Sequence, residues 1–128
     1  MSIEKAIYDG LSADVALTAL IGGRVYAVDA PQEAELPHIV YFKVSPGRQY
    51  THDGDSNLQT PRIQVSCYSE TYEGVKGIVE KVIKALYGLP ATNANVQAVF
   101  VEGEQDMFDY DTSEYHVPVD FIIHYREV

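Results

Sequence analysis

The chain has 128 residues, 46% hydrophobic and 22% charged, which predicts one domain over residues 1 to 128 with a real core. Its 19 acids against 9 bases give a formal net charge of −10, which counts against a free-standing nucleic-acid binder and against adhesion to anionic membranes. One cysteine cannot form an internal disulfide, no apolar run approaches the ~20 residues of a membrane span, and MSIEKAIYDGL does not read as a signal peptide.

Ile3, Ile7 and Leu11 recur at steps of four and mark one helical face, with Ser2 as its N-cap. Gly10 weakens this helix near Leu11, Ser12 or Asp14 caps a second short turn, and Gly22-Gly23 stops it. One broken helix, or two, is expected over about residues 3 to 20. RVYAV is a short strand, and Pro31 and Pro37 hold DAPQEAELPH as a loop. HIVYFKVS is β-branched and aromatic, apolar on both faces, and so a central strand. GRQYTHDGDSNLQTP is polar and turn-rich, a long hairpin turning at Asp53-Gly54.

RIQVSCYS alternates, with Ile63, Val65 and Cys67 on one face. The period then changes to three or four through Tyr72, Val75, Ile78, Val79, Val82, Ile83 and Leu86, an amphipathic helix capped by Ser69 or Thr71 and ended by Gly88 and Pro90. Gly74 and Gly77 cost helix propensity and imply close approach to a neighbouring backbone. NVQAVFVE is a strand, GEQDMFDYDTSE an acidic turn, and YHVPVDFIIHYREV a strand with Tyr115, Val117, Val119, Phe121, Ile123 and Tyr125 on one face. Pro118 cannot donate a ladder bond and predicts an edge or a bulge. The class is α+β: a mainly antiparallel sheet of about four to five strands with two helices packed on one face.

Cys67, near a strand-to-helix corner, has the place of a nucleophile. Alternation sets it in line with Ile63 and Val65 on the core face, and no G-x-S-x-G pattern surrounds it. His38, His52, His116 and His124 are scattered; His116 and His124 share a strand face but lie roughly 27 Å apart along an extended chain, too far for one metal. Asp53, Asp55 and Asn57 begin like a calcium loop, but Leu58 and Gln64 stand where glycine and glutamate are needed. Asp106, Asp109, Asp111 and Glu114 form a candidate acidic rim; as catalytic or Mg²⁺-binding carboxylates they would need a pocket that fixes their separation. No glycine-rich phosphate loop is present. No catalytic residue, cofactor or metal is expected, and the chain reads as a non-enzyme.

LSADVALTALIGGRVYAVDAPQEAELPHIVY, with Ala30-Pro31 and Leu36-Pro37 before the first long strand, resembles the opening of the tail-completion (tail terminator) proteins of long-tailed phages. RIQVSCYSETYEGVKGIVEKVIKAL resembles that family's middle and DYDTSEYHVPVDFIIHYRE its end, so the likeness runs from about residue 5 to 127. Cys67-Tyr68 departs from it. The resemblance implies a ring, of six subunits, that caps the tail tube, ends its polymerisation and offers the surface for head joining. The implied partners are further copies of the chain, the major tail tube protein and a head-completion or connector protein, with no sequence-specific nucleic acid and no membrane. The implied location is the neck end of the virion tail, after synthesis in a bacterial cytoplasm. A ring needs heterologous contacts that close by rotation. Tyr50, His52, Asp53, Asp55 and Asn57, in the loop from about Gly47 to Pro61, are the candidate contacts to a neighbour or the tube. Asp109 and Asp111 are candidates for facing the lumen and repelling DNA. Two other readings compete: a head-closure or connector protein of the same neck, and a small ligand-binding domain, which would need a concave apolar pocket.

Overall fold

A computed structural model of the protein describes residues 3 to 31, 34 to 44 and 58 to 126. The apolar steps of four form helix α1 (Ile3–Ala13), which buries Ile3, Ala6, Ile7 and Leu11. Its expected cap, Ser2, lies outside the described residues. Gly10 does not end α1. Its missing side chain admits Leu89, whose Cδ2 would lie 2.6 Å from a Cβ placed there. The break falls at Asp14, whose extended backbone leaves the helix and whose carboxylate accepts the Leu17 N–H at 2.9 Å. That cap starts α2 (Val15–Ile21), and Gly22, at φ 62°, closes it with its N–H on the Thr18 carbonyl.

Strand β1 (Val25–Ala27) pairs in parallel with β2 (His38–Val44), so the sheet is mixed at one edge. The Leu36–Pro37 peptide in the connecting loop is cis, and the Pro37 carbonyl accepts from Arg24 Nε at 2.9 Å. From β2 inward all pairings are antiparallel: β2 with β4 (Arg62–Ser69), and β4 with β7 (Glu114–Arg126). The far edge of β7 is taken by β5 (Val96–Glu104) and β6 (Met107–Asp109), and β3 (Leu58–Gln59) adds a short pairing at Tyr125 and Arg126. Registers place Tyr41, Val65 and Val119 in one row and Ile39, Cys67 and Val117 in the next. These inward side chains join those of the helices in one buried cluster.

Pro118 lies on neither an edge nor a bulge of its own strand. β7 is the most extensively paired strand, and Pro118 sits within it. Its carbonyl accepts the Gln105 N–H, so its absent donor also faces that side, and the β4 ladder loses nothing. The β5 side shows the loss: the ladder stops at Glu104–Val119 and resumes in the same register at Met107–His116. One long strand is thus split into β5 and β6.

Helix α3 (Tyr72–Tyr87) buries Val75, Ile78, Val79, Val82 and Leu86, and Thr71 caps it by accepting the Gly74 N–H at 3.0 Å. Tyr72 does not join the core; it starts the helix on an exposed face. The sequence predicts two helices, and four are present among the described residues. Asp14 divides the first, and α4 (Leu89–Thr92) follows Gly88 with Pro90 in its first turn, where proline starts a helix as readily as it ends one. The two glycines of α3 differ. A Cβ at Gly74 would meet the Thr71 and Ser69 hydroxyl oxygens at 2.6 and 2.7 Å, whereas at Gly77 it would meet nothing within 4 Å. Gly77 therefore answers no close neighbour. Replacing it with alanine is expected to raise stability by roughly 0.5–1 kcal/mol in urea unfolding, while Gly74→Ala lowers it by disturbing the cap.

Candidate functional site

Cys67 is fully buried, and burial pushes its thiol far above the ordinary cysteine range, away from the thiolate a nucleophile needs. It is a core residue. Tyr50, His52, Asp53, Asp55 and Asn57 lie outside the described residues. The acidic rim is described in full, and its four carboxylates divide into two environments.

The hairpin formed by β5 and β6 with β7 carries acids along its first arm and around its turn. Those near the base are paired. Arg62 meets Glu102 at 3.1 Å across the sheet. Lys76, one turn into α3, reaches both Glu104 at 3.2 Å and Asp106 at 3.0 Å, and the Tyr72 hydroxyl donates to Asp106 at 2.8 Å. The hydrogen bond from Tyr72, then that from Lys76, holds the Asp106 carboxyl below its ordinary range. Asp106 is thus a tether of the hairpin to α3. A depressed folded-state value means the contribution is present above the ordinary carboxylate pKa and fades as pH falls below it. An NMR titration should find Asp106 titrating below the usual aspartate range, and Lys76→Met should move it upward.

Asp109, Asp111 and Glu114 form no ion pair among the described residues. They surround the turn itself. Asp109 pairs with Glu114 in register, its carboxylate accepts the Asp111 N–H at 2.9 Å, and Ser113 takes φ 56° to complete the turn. Between these acids stand large apolar side chains. Met107 is 45% exposed, Phe108 38% and Tyr110 87%. Phe108 touches Tyr110 edge-on at 5.0 Å and Tyr115 at 4.8 Å, and Tyr115 meets Tyr72 at 5.8 Å.

On the outward face of the sheet a second aromatic row leads to the same tip. Tyr26 meets His38 edge-on at 5.8 Å, His38 stacks on Tyr68 at 4.8 Å, and Tyr68 stacks on His116 at 4.3 Å. His116 is the register partner of Met107. Burial holds its imidazole below the ordinary histidine range against the opposing pull of Glu114 and Asp109, and its Nε2 is buried without a hydrogen-bond partner. A cavity of about 340 Å³ opens between Met107, Phe108, Asp109, Tyr110, Asp111 and His116. The sequence marks the acids and alternating aromatics of this row; the cross-strand register that stacks them appears only in the fold.

The family model described as "Tail completion protein gp17" matches residues 5–126. The chain belongs to the tail completion protein gp17 family. Its role is that of a structural protein of the phage tail. No curated protein matches the sequence significantly. The fold is similar to that of a chain from a solved structure titled "Virion of native gene transfer agent (GTA) particle", with a TM-score of 0.77 and 16% identity over 98% of this chain and 96% of that one. At that identity the likeness is one of fold.

The tip presents exposed aromatic side chains beside acids that form no ion pair among the described residues. His38, His116 and His124 each lie against an aromatic ring rather than near one another. Among the described residues no three His, Cys, Asp or Glu side chains gather as metal ligands. A larger cleft of about 780 Å³ lies at the opposite end of α3, between α1 and α4, lined by small residues such as Ala6, Gly10 and Gly88 together with Asp9 and Lys84.

Proposed function

We propose that this tail completion family member closes the finished tail tube as a ring of six copies, stops further polymerisation and offers the face on which the head is joined. The family match over residues 5–126 carries the reading. The partners are then neighbouring copies, the major tail tube protein and a head-completion or connector protein, at the neck end of the tail. The acidic balance of the chain suits a protein that lets DNA pass without holding it. The polar segment from Gly47 to Pro61, with Tyr50, His52, Asp53, Asp55 and Asn57, is proposed to reach a neighbour or the tube. A ring of identical copies needs two unlike surfaces that meet head to tail and close by rotation. Light scattering on the chain with and without isolated tail tubes tests the ring. A sixfold mass on the tubes is expected. A chain that stays monomeric with tubes present contradicts the proposal.

A further inference from the structure

We infer that the β6–β7 hairpin tip is a docking surface for an arginine- or lysine-bearing segment of a different protein of the particle. Three observations carry this. First, Met107, Phe108 and Tyr110 expose large apolar area within four residues, on a hairpin that Lys76 and Tyr72 tie to α3 at its base. Phe108 and Tyr110 meet ring to ring, and exposed aromatic surface on an anchored element suits contact with another molecule. Second, the cavity at this tip is of a size to take one long side chain with its neighbours, and its wall alternates aromatic faces with the carboxylates of Asp109 and Asp111. Aromatic faces attract a guanidinium or ammonium, and carboxylates bind it by charge-assisted hydrogen bonds. His116 Nε2 at the same cavity is a buried polar atom without a partner.

Third, along β5, β6 and the turn after them, the acids without an ion pair among the described residues are those at the tip. Arg62 and Lys76 pair the acids of the hairpin base, and none of Asp109, Asp111 and Glu114 forms an ion pair among the described residues. A second copy is the poorer occupant of this tip, since it carries 9 bases against 19 acids and its Lys5, Arg24, Arg62 and Lys76 already meet carboxylates of its own. A DNA-repelling surface needs the acids but gives no use to Phe108 and Tyr110. A basic protein segment uses both. The inference deepens the tail reading by naming a partner's chemistry, and rests on it only in placing that partner in the particle.

The test is fluorescence anisotropy of the full-length chain with a labelled octapeptide carrying three arginines and a leucine. The same peptide with glutamates for arginines is the control. The arginine peptide is expected to bind saturably and the glutamate peptide not at all. Tyr110→Ala and Asp109→Asn/Asp111→Asn are each expected to weaken binding about tenfold or more, with circular dichroism unchanged. Absence of arginine-peptide binding overturns the inference. So does binding that Tyr110→Ala leaves intact, which is electrostatic adhesion only. Self-association in sedimentation that Tyr110→Ala abolishes also overturns it, because the occupant is then a second copy. Peptide binding is read without tails, so its failure is distinct from failure of ring formation.

Discussion

Phe121→Ala is expected to lower unfolding free energy by about 3–5 kcal/mol in denaturant titration, a large part of what holds a domain of this size together. Phe121 is fully buried at the middle of β7, with Ile63 beside it on β4 and Val101 beside it on β5. The strands around it and the helices above share one cluster, so the space left by the ring cannot collapse without moving several elements. Phe100 supplies the control with the same chemistry. It lies one register row away, on the outward face opposite Ile122, 53% exposed and in edge contact with His124. Phe100→Ala should cost well under half as much. Equal losses at the two positions would mean that the sheet faces are assigned wrongly.

That assignment was legible in the sequence because a sheet with one buried face writes its period into the chain. The odd-numbered positions of 115–125 and of 63–67 point inward as their alternation predicts, and the step of three or four in 75–86 turns the same face of α3 onto them. Cys67 was legible for the same reason: its neighbours in register, Ile39 and Val117, are core residues. What the sequence did not carry was set by pairing. α4 is four residues long, too short for any period, and Pro90 reads as a stop until the turn it begins is seen. Pro118 reads as an edge signal because its lost donor is local, whereas the strand that tolerates the loss comes from elsewhere in the chain. Gly77 within a helix predicts a close approach, yet a Cβ placed there would meet nothing within 4 Å.

The acidic rim divides along the same line. Four carboxylates close in sequence look alike, but only the fold brings Lys76 and Tyr72 of α3 against Asp106. Asp109, Asp111 and Glu114 stay beyond their reach, beside aromatics that no periodicity assigns to the core. A structural role in the phage tail asks no chemistry of Cys67, which is a core residue.

If this chain ends tube growth as proposed, its loss should change tail length more visibly than any substitution changes stability. A tube whose growing end stays uncovered keeps offering the same surface to the next ring of tube protein, so growth continues while subunits last. On the proposed function head joining should fail with it, because the joining face would be missing. The direct measurement is electron microscopy of tails assembled from the same virion proteins with and without this chain. Overlong, headless tails in its absence, and tails of uniform length joined to heads when it is restored, are the predicted result. Tails of normal length joined to heads without it would contradict the account.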